Sequence, residues 1–320
     1  MDQGLIQSVL HAMRDAGFGA AGTTPAVLDE SDGLAYGRWL AGGLNGGLGY
    51  MASSRALRTS PAGLDPWVRG LFCGAMAYNT SREMSAAHIH KGRAWVSRYG
   101  WGRDYHKVLR ARLRPAAALL EASGHRARIC VDTAPLLERP FARQAGIGFI
   151  GKNTMLIHPE LGSYLFLGEI LTDLEVPPSG RIGDGCGDCE LCLRACPTAA
   201  FAGPRVLDAG LCISTWTIEH RGPFPPSAPP LNGHLFGCDR CQEVCPFNRK
   251  APMAKEREFE ARPPWFAPAA REIAGLTPEE WDVVTRGSAI RRARYEGLQR
   301  NADRIEEESA SARRREGTAV

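Results

Sequence analysis

The sequence predicts an α+β protein in three parts. An N-terminal α/β domain is expected over residues 1–176, a small cysteine-bearing domain over 177–250, and a short helical C-terminus over 251–320. Three observations predict this. Helical and strand-like hydrophobic periods follow one another through the first half. Eight of the ten cysteines fall between residues 186 and 245. A Pro/Gly-rich stretch, VPPSGRIGDG (176–185), separates the two regions. A chain of 320 residues has room for roughly two cores.

The elements can be read in order. Apolar residues recur at Leu5, Ile6, Val9, Leu10 and Met13, a helical period over 4–16. Gly42–Gly49 holds five glycines and predicts a loop. LFCGAMAY (71–78) predicts a buried strand. Residues 106–122 predict a helix kinked or broken at Pro115. ARICVD (127–132) predicts a strand ending at Asp132, and Ser163–Leu174 a further buried strand. PFPPSAPP (223–230) predicts a loop lying over the cysteine segment or a partner surface. From 269 the pattern is helical, with Thr277 as N-cap before Pro278, Glu279 and Glu280. The tail SARRREGTAV is expected to be disordered.

The cysteines carry the strongest chemistry. Cys186-x2-Cys189-x2-Cys192-x3-Cys196-Pro197 is followed by Cys212 and by Cys238-x2-Cys241-x3-Cys245-Pro246. The first run is the bacterial ferredoxin signature, in which three cysteines bind one 4Fe-4S cluster and the fourth binds the other. Two cubanes need eight thiolates. The crossed ligation predicts Cys186, Cys189, Cys192 and Cys245 for one cluster, and Cys196, Cys212, Cys238 and Cys241 for the other. Pro197 and Pro246 break the chain after each turn. Structural zinc is the competing reading of CxxC pairs, but CxxCxxCxxxCP is far more specific. Disulfides would need an exported protein. Cys73 and Cys130 stand in apolar stretches and read as small buried hydrophobes.

Composition narrows the class. Apolar residues make up 44% and charged residues 23%, and the net charge is +4, ordinary for a soluble globular protein. The N-terminus MDQGLIQSVLHAM has an acid where a signal peptide carries positive charge. No run reaches the ~18 apolar residues of a membrane span. A monomer in a reducing cytoplasm is expected, with no membrane contact.

Other motifs pull in different directions. Gly146-x-Gly148-x-x-Gly151 matches a dinucleotide fingerprint, but LLERPFARQA before it reads as helix, not strand. These glycines imply close backbone approach to another segment or to a cofactor. Residues 91–114 hold eight Lys or Arg against Asp104, interleaved with Trp95, Tyr99, Trp101 and Tyr105, and six arginines follow between Arg286 and Arg304. Basic groups with aromatics suit nucleic acid; the alternative is a solvated face over core rings. Asp132, in CVDTAPLLER, can be a proton donor with a raised pKa, or the N-cap of a helix starting near Pro135; on the residues alone the cap is preferred. Glu138, Lys152, Glu169, Glu219 and His220 read as structural ion-pair members.

Several segments, VDTAPLLERPFARQAGIGFIGKNTMLI, GSYLFLGEILTDLE, CGDCELCLRACPTAA, LCISTWTIEHRGP and GCDRCQEVCPFN, closely resemble the epoxyqueuosine reductase family. SRYGWGRDYHKVL and GSAIRRARYEGLQRNA fit the same pattern, so the likeness covers about residues 5–305. The chain resembles a short form without C-terminal helical repeats. The resemblance implies reduction of epoxyqueuosine to queuosine at the wobble position of tRNA. It implies a cobalamin held between the N-terminal domain and the two-cluster domain, fed one electron at a time from an external donor. It assigns the proton donor to the aspartate of VDTAP, here Asp132, which overrides the cap. Cobalamin is implied to bind base-off without a protein histidine. Asp104-x-His106 begins the usual histidine motif, but Leu109 stands where its glycine belongs. Cobalamin contacts are implied at Arg55, Arg58, Ser97, Asp132, Lys152, Asn153 and Ser214, and tRNA contacts at His220 and Arg221.

Two other readings share parts of this pattern. A reductive dehalogenase-like enzyme has the same cofactor plan, usually with an export signal. A ferredoxin-like electron-transfer subunit would have the clusters but no use for the roughly 180 residues before them.

Overall fold

The computed structural model describes residues 2–317. Ten strands lie among them: β1 Ala20–Pro25, β2 Gly70–Ala77, β3 Trp95–Val96, β4 Ala127–Cys130, β5 Phe149–Ile150, β6 Leu156–Ile157, β7 Leu165–Thr172, β8 Phe201–Gly203, β9 Val206–Leu207 and β10 His234–Phe236. The main sheet has the order β1-β2-β7-β4, and each pair is antiparallel. The fold is therefore α+β, as expected, but the N-terminal part is not the α/β domain predicted for it. Antiparallel neighbours need no βαβ crossover, and apolar runs such as LFCGAMA cannot reveal strand direction.

That run is apolar throughout because both faces of β2 are covered. Phe72 and Met76 meet the helices Gln3–Asp15 and Tyr105–Ala122 through Ile6, Val9, Met13, Leu109 and Leu113. Leu71, Cys73 and Ala75 point the other way, toward Phe141 and Ala142 on the helix Glu138–Gln144. Each large side chain buried here contributes about 1.5–3 kcal/mol. The helix Tyr105–Ala122 runs through Pro115 without a break. Pro115 and Ala111, whose carbonyl loses its partner, both lie on the exposed side, where water replaces the missing bond.

A second core joins distant parts of the chain. Trp95, Val96 and Trp101 pack with Leu235, Phe236, Trp265, Ile290 and Leu298. Strand β10 pairs in parallel with β3, His234 opposite Trp95. Thr277 forms the predicted N-cap as a full capping box with Glu280. The last helix runs Arg294–Gly317, so residues 311–317 of the tail are helical and not disordered; 318–320 lie outside the described residues. Among the described residues, no helix is long and apolar enough to cross a membrane.

Candidate active site and cluster-binding segment

The Gly146–Gly151 turn is packed against protein, not open to a nucleotide. A Cβ on Gly148 would lie 2.4 Å from the Ile157 carbonyl oxygen, and one on Gly146 would lie 2.7 Å from that of Gly180. These glycines let the turn lie against the β6 segment and the linker. The turn then presents Lys152 and Asn153 to the cysteines. The Lys152 amide donates to Cys186 Sγ at 3.4 Å, and buried Asn153 donates through Nδ2 to the Cys241 carbonyl at 3.3 Å.

The eight cysteines of the two sequence groups lie within electrostatic reach of one another. Burial pushes the Cys192 thiol up, and the neighbouring Cys186 and Cys245 push it further. Burial raises Cys245 too, with Cys186 and Cys189 adding to it. Buried Cys238 is raised by Cys241 and Cys212, and Cys212 is raised by burial and by Cys196. Cys241 is raised by burial and then, in order, by Cys212, Cys192 and Cys196, so it neighbours thiols of both runs. The Ala200 amide donates to Cys196 Sγ at 3.3 Å, and Ser214 hydrogen-bonds to Cys212. All ten cysteines are free thiols, and Cys73 and Cys130 are buried far from both groups' sequence segments, on β2 and β4. A set of thiols with peptide N–H donors aimed at sulfur fits iron–sulfur ligation, where such bonds tune the potential.

A buried carboxylate anchors this segment to the rest of the molecule. Asp239, fully buried, accepts hydrogen bonds from Trp95 Nε1 (2.9 Å), Ser97 Oγ (2.5 Å), the Arg98 amide (3.0 Å) and Arg98 Nη1 (3.3 Å). Arg98 Nη1 also approaches Glu243 at 3.5 Å. The hydroxyl proton of Ser97 is thus committed to Asp239.

Asp132 stands on the loop after β4. It is neither a strand end nor an N-cap: the strand stops at Cys130, the next helix begins at Glu138, and Leu137 precedes it. Its φ is +54°, the left-handed region. Its side chain is 57% exposed and lies 3.2 Å from His106 Nε2. The other ring nitrogen of His106 is 2.7 Å from Asp104 Oδ1. Burial lowers the His106 pKa, but hydrogen bonds to Asp104 and Asp132 outweigh it and push it up to about 9. Crowding by protein raises Asp132, yet hydrogen bonds from His106 and Tyr105 outweigh this and hold its carboxyl below the usual range. The raised pKa expected from an apolar setting is therefore reversed. The electrostatic neighbours of Asp132 include Tyr50, Tyr99 and Arg292, so three distant chain segments meet here. Arg58 reaches the same loop through the Leu136 carbonyl at 3.5 Å, while Arg55 is exposed beside Gly37.

The basic segment 91–114 is mostly spoken for. Arg98 is buried on Asp239, Arg103 pairs with Glu258, Arg112 with Glu256 and Arg114 with Glu121. Trp95 and Trp101 are core residues, so the solvated-face reading holds there. A second set of arginines lies elsewhere. A cavity of about 820 Å³ is lined by His220, Arg221, Phe224, Arg294, Arg300 and Arg304, with Glu296, Asp303 and Glu307 among the other lining residues. His220 stacks on Phe224, and its Nε2 lies 2.9 Å from the Pro223 carbonyl. Arg221 donates to the Arg292 carbonyl at 2.9 Å. Arg300 lies over the Phe224 ring, 4.3 Å from its centroid, and donates to the carbonyls of Trp216, His220 and Gly222. The loop 223–230 thus covers this cavity through Phe224.

Comparison with known proteins fits these two centres. Residues 185–248 match a family model described as a 4Fe-4S double cluster binding domain, and residues 58–133 match one described as "Epoxyqueuosine reductase QueG, DUF1730". The chain is 40% identical over 304 residues to an epoxyqueuosine reductase of Pseudomonas aeruginosa, covering 93% of this chain and 83% of that one. It is 42% identical over 298 residues to that of Gloeobacter violaceus, covering 90% and 92%. The chain belongs to the epoxyqueuosine reductase family. A crystal structure of an epoxyqueuosine reductase with a tRNA-Tyr epoxyqueuosine-modified stem loop is 30% identical with a TM-score of 0.83, over 94% of this chain and 80% of that one. This family member is an oxidoreductase of queuosine tRNA modification and carries a double-cluster 4Fe-4S domain. Membership sets aside the plain electron carrier and the organohalide enzyme.

Sequence reading misses four residues of the site. His106 was read as an accidental half of a cobalamin motif, but Asp104 and Asp132 hold it at the site. Glu138 and Glu169 were read as ion-pair members, and no cation within ion-pair distance of either exists among the described residues. Asp239 carries no motif beyond its place between Cys238 and Cys241.

Proposed function

We propose that the chain reduces epoxyqueuosine to queuosine at the tRNA wobble position, with Asp132 delivering a proton to the departing oxygen. The observation that carries the reading is the Asp132–His106–Asp104 chain standing on an accessible loop in a member of this family. Removing the epoxide oxygen as water takes two electrons and two protons, and an oxygen leaving group needs an acid within reach. Two 4Fe-4S clusters, charged by an external one-electron donor, and a base-off cobalamin would supply the electrons and the reduced cobalt.

The ligand sets are Cys186, Cys189, Cys192 and Cys245 for one cluster, and Cys196, Cys212, Cys238 and Cys241 for the other. The CxxCxxCxxxCP spacing supports this division. Both ring nitrogens of His106 are taken by carboxylates, which suits a cobalamin with no histidine beneath it. Arg55, Arg58, Asp132, Lys152, Asn153 and Ser214 are the cobalamin contacts. Ser97 is placed to act through Asp239. The division of labour follows: residues 1–176 hold the corrin and the acid, 177–250 hold the clusters, and 251–320 brace them. His220 and Arg221, with the arginines of their cavity, would receive the tRNA backbone.

Turnover of an epoxyqueuosine-bearing stem loop, with protein reconstituted anaerobically with iron, sulfide and cobalamin, tests the reading. Product queuosine is expected. Cluster-loaded protein that takes up no cobalamin and leaves the epoxide intact sinks it.

A further inference from the structure

Glu169 lies in the middle of β7, opposite Cys73 on β2 and Cys130 on β4, and is completely buried. Around it are Leu71, Ala75, Phe141 and Ala142. Neither of its oxygens receives a hydrogen bond from an N–H or O–H donor. An ionised carboxylate cannot be left so in an apolar core. The polar side chain it faces is another carboxyl, that of Glu138 at the start of the helix Glu138–Gln144. Two carboxyls in contact cannot both be ionised, so a proton must lie between them. Burial and then the Glu138 charge raise Glu169 far above the usual range, while burial and the Asp132 charge carry Glu138 up to about 7 against the hydrogen bond with Glu169, which lowers it.

Glu138 has a second partner. Its Oε1 accepts the Asp132 amide at 2.5 Å, and Asp132 is the residue held at φ +54°. A non-glycine residue in that conformation needs its surroundings to hold it there. We propose that Glu138 is the positioning residue of Asp132, and that protonated Glu169 beneath it is the fixed donor that orients Glu138. The chain of contacts runs from the sheet core through two carboxyls to the loop that carries the acid. This rests on the reading of Asp132 as proton donor. The charged and titratable groups facing the pair are Asp132 on the loop, Arg139 on the helix, Tyr105 on the helix Tyr105–Ala122, Cys73 and Cys130 on the flanking strands, and Arg110 beyond Cys130.

Two measurements on the reconstituted enzyme decide it. Infrared spectroscopy near neutral pH should show the deuterium-sensitive carbonyl band of a protonated carboxylic acid, and E169Q should lose it. In turnover, E138A should lower kcat on the order of 100-fold, as expected for a misplaced acid, with the KM for the stem loop unchanged. E169Q, which keeps a donor toward Glu138, should stay within a few-fold of wild type, while E169L should follow E138A. Absence of the band, or wild-type kcat in E138A, overturns the proposal. If E138A fails to fold, the band and the contrast between E169Q and E169L still decide. D132N at full rate would remove the acid, and the positioning role with it; the band, read without turnover, separates that failure from a failure of the carboxyl pair.

Discussion

Replacing Asp239 by asparagine keeps the side chain's shape and removes one negative charge from a site that is fully buried. With its oxygen in the Oδ2 position, asparagine still accepts from Trp95 and from both Arg98 donors, and the Ser97 hydroxyl can turn to accept from the new amide. What is lost is the ion pair. Arg98, itself 3% exposed, would keep only Glu243 at 3.5 Å. Stranding a buried charge costs about 3–5 kcal/mol, and the remaining carboxylate argues for the lower end, ~3 kcal/mol. For a chain of 320 residues that is a fall in Tm of about 4–5 °C. Thermal unfolding of anaerobic D239N beside wild type measures it. Asp239 lies between Cys238 and Cys241, so iron content after reconstitution should fall as well. A midpoint shift worth less than ~1 kcal/mol would show that the Arg98–Asp239 pair does not clamp the cluster segment to β3.

D132N should retain clusters and stem-loop affinity while kcat drops on the order of 100-fold to 10,000-fold, the usual worth of a general acid; wild-type kcat would remove the role. C241S should lose the iron of the cluster it is assigned to before that of the other; unchanged iron per chain would refute the assignment. R294E should weaken stem-loop binding and reduce its salt slope by about one contact, since no carboxylate among the described residues ion-pairs with Arg294; an unchanged slope places the RNA elsewhere. His106 is raised from 6.5 to about 9, so its contribution is present below pH 6.5 and lost as pH rises through about 9; the H106Q stability deficit should therefore be larger at about pH 6 than at about pH 10, and equal deficits would contradict the pairing.

The residues that carry strong local signals were legible, and those whose meaning depends on a distant partner were not. The strand at 71–78 and the helix at 4–16 declared themselves by period, and Thr277 by its capping box. The double-cluster character of the cysteine segment is legible from its spacing, because CxxCxxCxxxCP is specific to cubane ligation. Arg98 was counted as part of a basic patch, since sequence shows its charge but not Asp239, 141 residues away. Trp95 and Trp101 looked available for stacking because their core is made mostly with residues 231–305. The helix through Pro115 survived because tertiary packing of Val108, Leu109, Leu113 and Leu120 outweighs one missing hydrogen bond.

The electrostatics of Asp132 bear on how it could act. A carboxyl below its usual range is empty of protons near neutral pH, which by itself would disqualify it as a donor. Yet the proton is close at hand: His106 Nε2 lies 3.2 Å from Asp132 Oδ2, and its pKa of about 9 keeps it charged. Asp104 holds the opposite nitrogen, so the ring cannot rotate away without breaking a 2.7 Å contact. The couple as a whole therefore carries one proton through the neutral range, and the aspartate is the end of it that meets solvent. A developing negative charge on a substrate oxygen beside Asp132 would draw that proton outward, and the two carboxylates left flanking His106 favour its prompt recharging. An acid built this way is loaded by its neighbour and not by its own affinity, which is why an apolar sequence context alone misjudged the direction of its shift.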